Sequence, residues 1–183
     1  MKMCFTGRRP KDLFGYEHDA YIPMVEAIKS CLREHVANGY TEFISGGAQG
    51  FDQLAFWAVN ALKRDHGYNI KNVVYVPFKG QERLWKETGL FSKKEYNLML
   101  RLADEIVYLK ESLTDKKEIV EALHERNHAM VDNADTVFGL YPDNSWLLKE
   151  TKGGTAECLK YAHSKGKRIY RLSNVTLEGG WVD

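Results

Sequence analysis

The chain alternates short apolar runs with longer amphipathic stretches, and that alternation limits its fold more than any single motif does. Residues 3–5, 42–45, 72–76, 105–109, 136–141 and 168–172 read as strands, rich in β-branched and aromatic residues. Turn formers close several of them: Thr6-Gly7 after the first, Gly46-Gly47 after the second, Pro77 after the third. Between them, residues 21–36, 51–62, 92–102, 118–133 and 155–164 carry a helical pattern. In the first of these, Met24, Ala27, Ile28, Cys31, Leu32 and Val36 form one stripe and Asn38-Gly39 stops it. Strand–helix–strand repetition implies parallel strands joined by right-handed crossovers. The expected fold is a Rossmann-like, doubly wound α/β domain, with a mainly parallel sheet flanked by helices over residues 1–183. Residues 78–90 are expected as a loop with a helical turn, residues 142–152 as an irregular loop, and the tail after residue 172 as peripheral.

Composition narrows the function classes. A formal net charge of +1 gives no global field to recruit nucleic acid or an anionic membrane. Three cysteines without CxxC spacing point to reduced thiols and not to a disulfide framework or zinc site. The start of the chain has no signal-peptide pattern, and no apolar run approaches the roughly 18 residues of a membrane helix. A cytoplasmic protein without a membrane partner is expected, with no cofactor and no metal. His124 and His128 stand at i and i+4, but no third ligand lies near them in sequence.

Three loops carry chemistry. Thr6-Gly7-Arg8-Arg9-Pro10 leaves the first strand; its arginines can fork onto phosphate or carboxylate, or form a solvated basic turn. Ser45-Gly46-Gly47-Ala48-Gln49-Gly50-Phe51-Asp52 joins the second strand to a helix. Its glycines let bare amides approach an anion at the positive end of that helix, although the spacing is neither GxGxxG nor a Walker A loop. Asp52 either caps the helix or meets a ribose hydroxyl. Lys152-Gly153-Gly154-Thr155-Ala156-Glu157 opens the last helix, where Thr155 and Glu157 suit capping as well as ligand contact. Arg126 lies on the helix before the fifth strand. Phe51 and Trp57 read as core, whereas Trp85 and Trp146 lie in polar loops and are available to stack on a base.

Together these segments resemble the SLOG superfamily, which groups the Lonely Guy phosphoribohydrolases, the DNA-processing protein Smf and the YpsA/YoqJ-like proteins (the DUF1273 group). The first two loops are similar to the YpsA-like branch. The stretch from Glu125-Arg126-Asn127 to Gly153-Gly154-Thr155-Ala156-Glu157 resembles the Lonely Guy pattern, with one glycine missing and residues 142–152 inserted. The glutamate that the Lonely Guy family uses catalytically corresponds to Cys158; Glu157 matches only its neighbour, about 100° away around the helix. The resemblance implies a nucleotide cradle, and a homodimer or higher homo-oligomer.

Two functions follow. In one, Thr6, Gly7, Arg8, Arg9, Ser45, Gly46, Gly47, Ala48, Gly50, Asp52, Arg126, Gly153, Gly154, Thr155 and Glu157 bind a nucleotide or nucleotide-derived ligand, such as an ADP-ribose-like molecule or a cyclic nucleotide signal, which the protein senses or sequesters. In the other, the protein is a nucleoside 5′-monophosphate phosphoribohydrolase. Glu157, or Asp52, would then stabilise an oxocarbenium-like transition state, and Arg126 would hold the phosphate or the leaving base. Single-stranded DNA binding is a third reading, for which Lys93, Lys94 and Arg101 on one helix face would supply charge. The near-neutral chain argues against nucleic acid as a partner.

Overall fold

The computed structural model describes residues 1–85 and 89–182. Six parallel strands form at the expected places: β1 (Lys2–Gly7), β2 (Glu42–Ser45), β3 (Lys71–Val76), β4 (Glu105–Tyr108), β5 (Thr136–Leu140) and β6 (Arg168–Leu172). Five helices connect them: α1 (Ile22–Ala37), α2 (Phe51–His66), α3 (Lys93–Leu102), α4 (Lys116–Asp132) and α5 (Gly154–Ser164). With β7 (Gly179–Val182) at one edge, the sheet order is β4-β3-β2-β1-β5-β6-β7, so this is a doubly wound α/β sheet of Rossmann type.

Side-chain alternation along the strands assigns the helices to faces. Met3, Phe5, Phe43 and Phe138 pack with Met24, Ile28, Leu32 and Phe51 of α1 and α2. Cys4, Ile44, Val137 and Ile169 point the other way, onto Met130 and Val131 of α4 and Leu159 and Ala162 of α5. Val74 and Val76 meet Phe56 of α2 and Tyr96 and Met99 of α3, on the α1–α2 face. The chain winds outward from β1 to β4 beneath α1, α2 and α3. It then returns through α4 on the opposite face and sets β5 beside β1. The connections leaving these two neighbours diverge to opposite faces, which opens a crevice at their carboxyl ends.

Three expectations change. The tail is not peripheral, because β7 (Gly179–Val182) pairs antiparallel with β6, Ile169 facing Val182 and Leu172 facing Gly179. The helix expected from residue 118 begins at Lys116, where Asp115 accepts hydrogen bonds from the Lys117 and Glu118 amides. The loop at residues 78–90 holds two 3₁₀ turns, at Gln81–Leu84 and Gly89–Phe91; its residues 86–88 lie outside the described residues. No helix among the described residues is long and apolar enough to cross a membrane.

The β7 strand completes an aromatic box around His35. The imidazole lies 4.6 Å from the Tyr170 ring, 5.3 Å from Tyr40 and 5.5 Å from Trp181 between centroids. Its Nδ1 donates to the Cys31 carbonyl at 2.7 Å, and Nε2 is buried without a partner. Burial pushes its pKa down, so the folded protein resists a proton that the unfolded chain accepts below about pH 6.5. Stability therefore falls as pH drops below that value, by at most about 1.4 kcal/mol per pH unit for this one site. Urea unfolding between pH 7.5 and 5.5 should show this slope, and His35→Phe should flatten it; an unchanged slope in the variant would assign the effect elsewhere.

Candidate functional site

Three chain segments converge at the crevice. β1 ends in Thr6 and Gly7 and is followed by Arg8 and Arg9; α2 begins behind the loop at residues 45–50; α5 begins at Gly154, with Gly153 before it. The residues Thr6, Gly7, Arg8, Arg9, Ala48, Asp52, Arg126, Gly153, Gly154 and Thr155 line a single cavity of about 270 Å³. Lys11, Gln49, Asn127, Tyr141 and Lys152 complete much of its wall.

The segments are stitched to each other before any ligand arrives. The Phe51 amide donates to the Arg8 carbonyl at 3.2 Å, and the Thr155 hydroxyl donates to the Gly7 carbonyl at 2.8 Å. Gly50 has φ of +100°, and a Cβ there would lie 2.4 Å from the Arg8 carbonyl oxygen. Only glycine lets the start of α2 press so closely on the β1 loop. The Arg8 guanidinium lies 4.2 Å from the Tyr141 ring centroid, which pins it against the end of β5.

Beneath the cavity floor lies a buried ion pair. Arg126 of α4 donates from Nη1 to Asp52 Oδ2 at 3.3 Å, and the two side chains are 4% and 9% exposed. Burial pushes the Asp52 carboxyl up from its usual range; the guanidiniums of Arg126 and Arg9 and the backbone amides of Ala48 and Gly46 act against that. A Cβ on Gly46 would sit 1.3 Å from Arg126 Nη1, so this glycine exists to admit the guanidinium. The Arg126 Nε is buried without a partner. Burial also lowers the pKa of Arg9, partly offset by the charge of Asp52.

The structure separates the expected site residues by role. Ser45, Gly46, Gly47 and Gly50 stand behind the cavity wall and not on it. Gly47 faces Tyr96 and Met99 of α3, each 2.9 Å from where its Cβ would be. The loop at residues 45–50 therefore places Gly46 against Arg126 and Gly47 against α3, with the Gly46 and Ala48 amides directed at Asp52. The start of α5 is bare as well. Here Gly153 gives no side-chain cap, the Glu157 amide reaches the Gly153 carbonyl at 2.9 Å, and those of Gly154, Thr155 and Ala156 have no acceptor among the described residues. By contrast, Ser92 and Asp115 cap α3 and α4.

Glu157 lines an adjoining cavity and lies 3.5 Å from His124 Nδ1. Cys158, one residue on, is buried, with its thiol pushed up to about 11 by burial. His128 stacks on Tyr161 at 3.8 Å, apart from the His124–Glu157 contact. Trp146 does not offer a stacking face, because it is fully buried in the α4–α5 core; Trp85 packs edge-on against Tyr96 at 4.9 Å. Sequence reasoning missed the pairing of Asp52 with Arg126, which no local spacing signals. It also missed Tyr141, although a residue at the end of a switch-point strand was open to discovery from topology.

The ion pair generates a test. Asp52→Ala leaves a buried guanidinium unmatched and should cost about 3–5 kcal/mol in urea unfolding. Asp52→Ala combined with Arg126→Met should cost less than the sum of the single changes by at least about 1 kcal/mol. Additive losses would show that the two groups do not act as a pair.

The YpsA family model, described as the YspA SLOG family, matches residues 3–177. The SPbeta prophage-derived protein YoqJ of Bacillus subtilis (strain 168) is 36% identical over 141 residues, covering 71% of this chain and 75% of that protein. A UPF0398 protein of Bacillus thuringiensis (strain Al Hakam) is 27% identical over 170 residues, covering 90% and 84%. Among solved structures, DNA processing protein A from Helicobacter pylori aligns with a TM-score of 0.57 at 17% identity over 93% of this chain. The Streptococcus pneumoniae protein aligns with a TM-score of 0.58 at 14% identity, again over 93%. This chain spans only 64% and 49% of those two structures, and the likeness is one of fold. On these grounds, and with the β1 and α5 loops in place around one crevice, the chain belongs to the YpsA family of the SLOG superfamily.

Proposed function

We propose that the protein binds a nucleotide or nucleotide-derived ligand by its phosphate in the crevice between β1 and β5, as a sensor or sequestering module. One observation carries this reading: the uncapped start of α5, with three amides lacking acceptors, opens onto the cavity that Arg8 and Arg9 line. Helix-start amides and the helix dipole favour an anion there, and the arginines add charge and forked hydrogen bonds. Arg126 contributes a further unpartnered Nε from below.

The phosphoribohydrolase alternative has less support. The position that resembles the Lonely Guy catalytic glutamate is the buried thiol of Cys158, and Asp52 is engaged by Arg126. Glu157 is the remaining carboxylate, and it faces the adjoining cavity. DNA processing protein A from Helicobacter pylori, which shares the fold, binds single-stranded DNA. For this chain that reading rests on Lys93, Lys94 and Arg101 of α3 and on the basic rim of Arg8, Arg9, Lys11 and Lys152. A cytoplasmic location and a homo-oligomeric state belong to the same proposal, the latter measurable by light scattering.

Thermal shift with AMP, NAD and ADP-ribose, followed by chromatography for released base, separates these readings. A shift without base release is expected; ligand at one hundred times Kd adds about 2.7 kcal/mol of apparent stability. Arg9→Gln should weaken binding at least about tenfold, or 1.4 kcal/mol. Base release that vanishes in Glu157→Ala would make the protein an N-glycosidase instead, and the absence of any shift would remove the nucleotide reading.

A further inference from the structure

Two cavities meet at the start of α5. The inner one, of about 270 Å³, and the outer one, of about 330 Å³, share Arg9, Arg126, Asn127, Gly153 and Gly154. The groups that suit a phosphate are thus concentrated in the wall between two spaces. Arg126, 3% exposed with its Nε unpartnered, belongs to that shared wall and is an observation independent of the helix start. A phosphate held there has room on both sides. A ligand that ends in its phosphate leaves one space empty, whereas a ligand with an internal phosphate or pyrophosphate occupies both.

The outer space has its own chemistry. Val120 and Leu123 of α4 give it apolar walls, and His124 and Glu157 give it polar ones. His124 Nδ1 and Glu157 Oε2 are 3.5 Å apart, with side chains 45% and 48% exposed. Neighbouring charges on α4 are occupied elsewhere: Glu125 pairs with Lys110 at 2.7 Å, and Glu121 lies 4.0 Å from Lys117. Glu157 is therefore the carboxylate that braces His124. Apolar walls with hydrogen-bonding groups at one end suit a flat heterocyclic ring.

We propose that the outer cavity is a second subsite that takes a ring-bearing substituent on the far side of an internal phosphate, and that His124, braced by Glu157, is the residue that reads it. This deepens the phosphate reading above and rests on it. The ligand class it selects carries organic groups on both sides of its phosphate, in contrast to a nucleoside monophosphate.

The test is calorimetric titration of the full chain with pyrophosphate, ADP and NAD. NAD should bind at least tenfold more tightly than ADP, because only NAD places a ring beyond the pyrophosphate. In His124→Ala, and separately in Glu157→Gln, the ratio of NAD to ADP affinity should fall toward one. Both side chains are half-exposed, and thermal denaturation checks that the variants remain folded. Equal affinities for ADP and NAD in the unaltered protein would overturn the second subsite while leaving the phosphate site standing. So would an NAD to ADP ratio that survives in His124→Ala. Failure of all three ligands to bind would remove the phosphate site, and the second subsite with it.

Discussion

The buried contact between Arg126 and Asp52 organises everything around it. It joins the middle of α4 to the first turn of α2, across 74 residues of chain, directly under the crevice. Removing two charges from water costs several kcal/mol per ion, and the attraction between them returns little beyond that. The pair is consequently a poor source of stability and a good source of position. It sets where α2 starts, it demands the absent side chain at Gly46, and it aligns Arg126 so that one nitrogen is used and another remains unpartnered.

The sheet topology explains why the crevice lies where this pair is. Because β1 and β5 are neighbours whose connections leave to opposite faces, α2 and α5 approach the same rim from different sides of the sheet. Their starts are nonetheless unlike. At α2, part of the anion-binding capacity is met within the chain: the Arg8 carbonyl takes the Phe51 amide, and the Gly46 and Ala48 amides act on Asp52. At α5, Gly153 has no side chain to cap the helix, and its first amides keep their capacity for an outside partner. Two glycine-rich turns that look alike on paper thus differ in structure: one packs against Arg8, Arg126 and α3, and the other has nothing within 4 Å of where a Cβ on Gly153 or Gly154 would stand.

Much of the fold could be read from periodicity alone. Most of the parallel strands and helices arise from apolar patterns buried on the side the pattern dictates; β4, at the sheet edge, has no fully buried residue and is held by its pairing with β3. What could not be read depended on long-range partners. The Gly179–Val182 segment has no alternating apolar pattern of its own and becomes a strand because Tyr170, His35 and Arg168 give Trp181 a surface to pack on. Trp146 looked like a loop aromatic from its polar neighbours, yet it is fully buried in the core and packs edge-on against His163 of α5. The site shows the same division. The loops were legible from glycine and arginine content. Which glycines face the cavity was not, because that depends on Arg126, Tyr96 and Met99 arriving from other elements.

Helical geometry also separates binding from chemistry here. Successive residues on a helix point about 100° apart, so a carboxylate moved by one position serves a different volume. Cys158 points into the core between the sheet and α4, where burial keeps its thiol protonated. Glu157 points outward, to His124 and the outer cavity. A charge at the Cys158 angle would lie near the buried pair, since Arg126 and Asp52 both act on that thiol electrostatically. A thiol there instead spares Arg126 a second carboxylate. With a neutral thiol at that angle, Asp52 is the carboxylate that Arg126 faces beneath the crevice.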